Sequence, residues 1–200
     1  MRQCRICGGS GIVYNRTPEA GSIGDVELCS CIAKKCSCEG IPPFQSFDAD
    51  GNHAWCACRS ARTKLVRVKK AFRDSQIPKR YQWKFIEDFE RVNPVANKIC
   101  GMISTIRDEP MVKGFYFWGP AGGGKTLLAC IALQELMVKH GLEGKFVDIS
   151  RQFFQRLKNT FDSSGNNEEN AGDVLDELIR VPFLVIDDFG VQRNTEWESE

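Results

Sequence analysis

A chain of 200 residues has room for one compact α/β domain and a small appendage, and excludes a second large domain. Its 27 basic side chains nearly cancel its 26 acidic ones, so no global field selects a polyanionic partner, and any nucleic-acid affinity must come from a local patch. The first residues lack the apolar core of a secretory leader, and no run approaches the roughly 18 apolar residues of a membrane helix, so a cytoplasmic protein with no membrane partner is expected.

Eight of the ten cysteines fall among the first 58 residues. In a reducing compartment that clustering points to metal rather than disulfides. They form four close pairs, Cys4/Cys7, Cys29/Cys31, Cys36/Cys38 and Cys56/Cys58. A tetrahedral zinc site takes two such pairs, so eight thiolates suit two Cys₄ sites, and Zn²⁺ would supply folding free energy that a Gly- and Ser-rich segment with little aliphatic periodicity lacks. Because Cys-x-Cys is tighter than the usual spacing, one or two ions and two pairings stay open. The pairs join either in sequence order or nested, and His53, three residues before Cys56, is an alternative ligand. Residues 1–58 are therefore expected to form a zinc module that chelation would unfold while leaving the rest of the chain folded. Cys100 and Cys130 lie in predicted helices, where buried small hydrophobes are expected.

Residues 59–80 carry nine Lys and Arg and one acid, Asp74, interleaved with Leu65, Val66, Val68, Ala71 and Phe72. The spacing predicts a basic helical linker ending near Pro78. A DNA path, a docking surface and a solvated face are all consistent with it. From residue 81 onward strands and helices alternate, the pattern of a parallel sheet covered on both faces. Asn93 and Pro94 start a helix to about residue 107, and an aromatic strand spans 113–118. A helix with apolar residues three and four apart then runs to Gly141. A strand over 146–149 follows, then a helix capped by Ser150 to residue 161, a polar loop over 163–172, a helix around 173–180 and the apolar strand 183–186.

Between the first of these strands and the next helix stands Gly119-Pro120-Ala121-Gly122-Gly123-Gly124-Lys125-Thr126, a match to G-x-x-x-x-G-K-[ST] in the context that motif requires. Glycines let backbone N–H groups turn inward on phosphate, and the helix that follows adds the positive end of its dipole. Lys125 is expected to reach the β- and γ-phosphates of ATP, and the Thr126 hydroxyl to ligate Mg²⁺. The last apolar strand runs directly into Asp187-Asp188, at the carboxyl end where open α/β sheets bind ligands. Asp187 is expected to bind Mg²⁺ through water, and Asp188 to orient or deprotonate the attacking water.

These features together resemble the DnaC/DnaI-like bacterial and phage helicase loaders of the AAA+ class, relatives of the IstB-like transposition ATPases. The residues carrying the resemblance are the Cys-rich start and the stretch Ala71-Phe72-Arg73-Asp74-Ser75-Gln76-Ile77-Pro78-Lys79-Arg80-Tyr81 leading to Phe85-Ile86-Glu87-Asp88-Phe89. To these are added the two phosphate-site motifs, followed by Phe189-Gly190 and Thr195-Glu196-Trp197-Glu198. The resemblance covers residues 56–200 well and is looser over 1–55.

It implies an α/β P-loop NTPase core of AAA+ type over residues 81–200, joined by the linker 59–80 to the zinc module 1–58. The implied function is an ATPase that helps place a replicative helicase on single-stranded DNA in DNA replication, with the module touching the helicase and the nucleotide-bound core forming a homo-oligomer and contacting DNA. The family continues past the position of Glu200 with a sensor strand and an arginine finger, so the core is expected to be incomplete at its C-terminus and turnover weak. Two other readings stay open: an IstB-like transposition helper ATPase, and a nonhydrolysing ATP-binding zinc adapter.

Overall fold

A computed structural model describes residues 4–15, 25–47, 49–91, 94–108, 114–149, 153–156 and 171–189. Its N-terminal part is built twice from one plan. A turn carrying two cysteines leads into a two-stranded antiparallel hairpin, and a Cys-x-Cys then opens a helix. In the first copy, β1 (Ile12–Asn15) pairs with β2 (Asp25–Leu28), and α1 (Ser30–Ala33) follows. In the second, β3 (Gln45–Phe47) pairs with β4 (His53–Trp55), and α2 (Arg59–Asp74) follows with Cys58 at its N-cap. Strand alternation places Ile12, Tyr14 and Val26 on one face of the first hairpin, and Ile12 and Val26 are fully buried.

α2 buries Ala61, Val68, Ala71 and Phe72, a stripe at helical spacing. It stops at Asp74, short of the Pro78 expected from sequence. Ser75 Oγ donates to Phe72 O at 2.9 Å, and Gln76 adopts a left-handed φ of 58°, which together turn the chain before the proline restricts it. Short 3₁₀ turns follow at Lys79–Tyr81 and Ile86–Asp88.

The centre of the fold is α4 (Lys125–His140), which packs on α3 (Pro94–Asp108) and α2. Leu128, Ile131 and Ala132 join Cys100 and Ile103 of α3 in one apolar cluster. Cys130, Leu133 and Met137 join a second cluster with Phe146, Phe85, Val68 and Phe72, and this one also contains Ile12 and Val26. The hairpin next to the first cysteine group thus contributes to the main core. Tyr14 stacks on Phe85 at 3.9 Å and donates to Glu87 Oε2 at 2.9 Å, fastening the same junction.

β5 (Gly144–Asp148) and β6 (Phe183–Asp187) pair in parallel, with α5 (Ala171–Ile179) leading into β6. Lys145 of β5 pairs with Glu177 of α5, which also accepts from Arg156 at 2.6 Å. The expected strand at 113–118 is not formed. Residues 114–118 alternate between exposed and half-buried, as a strand would, but the segment pairs with no strand among the described residues. Among the described residues, full cover of both sheet faces is also not observed, since Leu184 and Ile186 of β6 are 39% and 47% exposed. Outside the described residues lie the Asn93 and Ser150 caps, most of the helix expected to follow Ser150, the loop up to residue 170, and Gly190 through Glu200. Among the described residues, no helix is long and apolar enough to cross a membrane.

Candidate functional site

Gly119 to Gly124 form the turn that precedes α4, and Gly124 is its N-cap with φ 76° and ψ 14°, a left-handed conformation that disfavours any side chain. Gly122 has the same handedness at φ 79°. Lys125, the first residue of the helix, donates from Nζ to Gly119 O at 3.0 Å and Pro120 O at 2.8 Å, so the ammonium lies across the loop formed by Pro120, Ala121, Gly122 and Gly123. One residue on, Thr126 Oγ1 donates to Asp187 Oδ1 at 3.1 Å, which joins the start of α4 to the end of β6.

Asp187 closes its strand opposite Asp148 of β5, and Asp188 follows with φ 55°. Burial raises the Asp187 pKa, the Thr126 hydroxyl opposes that rise, and the nearby carboxylates of Asp188 and Asp148 add to it. A hydroxyl and a carboxylate within hydrogen-bond reach, with two more carboxylates close by, make a donor set of hard oxygens and excess negative charge. That chemistry fits a hard divalent cation such as Mg²⁺.

The eight N-terminal cysteines converge in sequence order. Cys4, Cys7, Cys29 and Cys31 form one group and Cys36, Cys38, Cys56 and Cys58 another, with all four sulfurs of each within 4.8 Å of one another. No nested grouping is seen. None is in a disulfide. Sulfur separations of 3.9 Å for Cys4/Cys29, 3.7 Å for Cys7/Cys31, 3.7 Å for Cys36/Cys38 and 3.4 Å for Cys38/Cys58 are close to the edge of a tetrathiolate zinc tetrahedron, about 3.8 Å for bonds of about 2.3 Å. Backbone N–H donors hold one thiol in each group well down, Cys4 at about 6 through Cys7 and Ile6, and Cys56 at about 5 through Cys58 and Ser37, while the neighbouring Cys29 pushes Cys31 up to about 12 and burial pushes Cys58 up to about 12. Both groups therefore fit Zn²⁺. His53 is not part of either; it is exposed and its ring lies 4.7 Å from that of Phe47. Cys100 and Cys130 are buried in α3 and α4 among apolar side chains, apart from both groups.

One participant was not legible as such. Arg62, counted in sequence with the basic linker, donates from Nε to Cys58 Sγ at 3.3 Å and from Nη2 toward Cys36 Sγ at 3.9 Å. Its hydrogen bonds to Cys58 and Cys36 raise its own pKa. The signal available was its position one helical turn after Cys58, the residue that starts α2.

No protein-family model matches the chain. Among curated proteins, it is 37% identical over 90 residues to the replicative helicase loader DnaC of Escherichia coli K12, a match covering 44% of this chain and 34% of that protein. The DnaC of Shigella flexneri matches equally, and the chain thus spans about a third of the length of the curated relatives it matches. Among solved structures, a protein of Streptococcus pyogenes serotype M3 described as a primosome component shares the fold with a TM-score of 0.52 and 22% identity, over 68% of this chain and 70% of that one. The chain is a mixed α/β protein with a parallel strand pair and two four-cysteine groups, similar in sequence to the DnaC replicative helicase loaders.

Proposed function

We propose that the protein is an ATP-binding helicase loader of DNA replication, with an AAA+ P-loop core over residues 81–200, a linker over 59–80 and a zinc module over 1–58. The observation that carries this reading is the 3.1 Å hydrogen bond from Thr126 to Asp187, which brings the hydroxyl after the loop lysine onto the carboxylate that ends β6. In a chain similar to DnaC loaders, that pair is the expected cradle of a nucleotide-bound Mg²⁺.

In this reading the backbone of residues 119–124 wraps the phosphates of ATP. Lys125 exchanges its contacts with Gly119 O and Pro120 O for phosphate oxygens. Thr126 and Asp187 would hold Mg²⁺, which would supply positive charge to the developing phosphate anion. Asp188 positions the attacking water, which makes the chain an ATPase. Two Zn²⁺ ions are held by the cysteine groups and give the hairpins their rigidity. The partners are a replicative helicase and single-stranded DNA, and the nucleotide-bound chain forms a homo-oligomer.

The test is capture of a purified replicative helicase by the immobilised full chain with and without ATP and Mg²⁺, alongside fluorescent-nucleotide binding. Capture that depends on nucleotide is the expected result. Absence of nucleotide binding in the parent protein, or capture indifferent to nucleotide and to Lys125→Ala, would overturn the reading.

A further inference from the structure

The hairpin that carries the second cysteine group presents flat rings to solvent on one face. Phe47 pairs with His53 and Gln45 with Trp55, so Phe47, His53 and Trp55 share that face by strand alternation. All three are exposed, Phe47 at 69% and Trp55 at 56%. None of the three belongs to an apolar core cluster. Two residues along a strand are about 7 Å apart, so the rings of His53 and Trp55 make a stepped row rather than a single patch.

From Trp55 the row runs into a groove of about 690 Å³ between this hairpin, the first turns of α2 and the C-terminal end of α4. Its lining includes Arg59, Ser60, Thr63, Arg67 and His140 together with Lys64, and among the described residues no carboxylate lines it. Ser60, Thr63 and Arg67 recur at helical spacing along one face of α2. The Arg59 guanidinium lies 3.4 Å over the Trp55 ring, so cation and ring form one unit at the mouth. Aromatic rings in steps beside a cationic, hydroxyl-bearing groove are the chemistry of single-stranded nucleic acid, whose bases stack while its phosphates follow the charge. A duplex keeps its base faces covered and gains nothing from the rings.

We infer that Phe47, His53 and Trp55 form a stacking platform for single-stranded DNA, and that the groove lined by Arg59, Lys64 and Arg67 takes its phosphates. The inference rests on the loader reading, which requires a single-strand contact, and it locates that contact in the zinc module rather than beside the nucleotide loop. A hairpin of two three-residue strands is marginal by itself, so the platform depends on the second cysteine group and on α2 beside it.

The experiment uses the full zinc-loaded chain and a fluorescein-labelled oligo(dT) of about 16 nucleotides, followed by anisotropy across a salt series. Trp55→Ala is expected to weaken binding about ten-fold or more, and Trp55→Phe to restore most of it, since a ring remains. Arg67→Glu is expected to weaken binding and to flatten the slope of log affinity against log salt by about 0.7 or more, the single-strand value per phosphate contact. Fluorescent-ATP affinity and zinc content should be those of the parent in all three variants. No oligonucleotide binding by the parent, or affinities unchanged in Trp55→Ala and Arg67→Glu, overturns the site. Unchanged DNA affinity with lost helicase capture also overturns it, by making the groove a protein-docking surface, yet leaves the loader reading standing. Conversely, a parent that captures no helicase but loses DNA on Trp55→Ala supports the site and sinks the loader reading.

Discussion

Gln134 Oε1 accepts the backbone N–H of Trp83 at 2.6 Å, and its Nε2 donates to Tyr81 O and Lys84 O at 3.0 Å each. This fully buried amide on α4 substitutes for a sheet edge, giving hydrogen-bond partners to an irregular segment 50 residues away in sequence. Next to it, Glu135 Oε1 accepts from Ile86 N at 3.1 Å. Replacing Gln134 by Leu keeps the volume but leaves one backbone N–H and two carbonyls without protein partners. A loss of about 3 kcal/mol is expected. Urea unfolding at constant m-value measures it, and a change under about 1 kcal/mol would show that water replaces the amide.

Lys125→Ala is expected to abolish tight ATP binding, because its ammonium lies across the loop that would hold the phosphates. Asp188→Asn should retain binding while suppressing whatever turnover the parent shows. Equal nucleotide affinity in Lys125→Ala and the parent would remove the phosphate assignment.

The folded chain holds the Asp187 proton to a higher pH than the unfolded chain does, since burial raises its pKa from the ordinary 3.8. By linkage, this group's contribution to stability falls as pH rises from that ordinary value through the raised one, and at neutral pH its buried charge is a net cost. Asp187→Asn removes the charge and still offers Thr126 an acceptor. The variant should therefore melt slightly higher than the parent at neutral pH without nucleotide, while losing the additional stabilisation the parent gains from Mg²⁺ and ATP. A lower melting point than the parent's in the absence of nucleotide would contradict this.

Arg62→Met keeps the aliphatic stem and removes the guanidinium that donates to Cys58. Zinc retention by the second group should weaken about 10- to 100-fold in competition with a chromogenic chelator, with the first group unaffected. Arg62→Lys should recover part of the difference, since charge returns without the planar fork. Equal retention in Arg62→Met and the parent would reduce Arg62 to packing.

Chelation is expected to reach further than a detached module would allow. Ile12 and Val26 lie in the same apolar cluster as Phe85, Cys130 and Phe146, so loosening the first hairpin opens the core around α4. One lowered, cooperative melting transition of the whole chain should follow. Two separate transitions, with the upper one unchanged by chelation, would restore the picture of independent parts.

Sequence alone was informative where structure is local. The glycine loop, the helix from Lys125 to His140 and the apolar strand entering Asp187 are set by neighbours in the chain, and their limits were legible to within two or three residues. The four cysteine pairs were legible as a candidate metal-binding set, but not their grouping, since both pairings satisfy the same spacing. What stayed hidden depends on distant partners. Residues 114–118 have strand composition, yet a strand exists only with a hydrogen-bonded neighbour. Gln134 has the composition of an exposed helical position, and only the irregular segment packed against it explains its burial. Arg62 was indistinguishable from its basic neighbours until Cys36 and Cys58 were brought to it.

α4 spans 16 residues without glycine or proline, a rod of about 24 Å. One end begins at the glycine loop, and the other, at His140 and Gly141, forms a wall of the groove beside Trp55. Lys64 of α2 is tied there, donating to Lys139 O at 2.5 Å. No glycine or proline interrupts the helix along that length, so a nucleotide that tilted Lys125, as the proposed function would allow, would also move the wall beside Trp55.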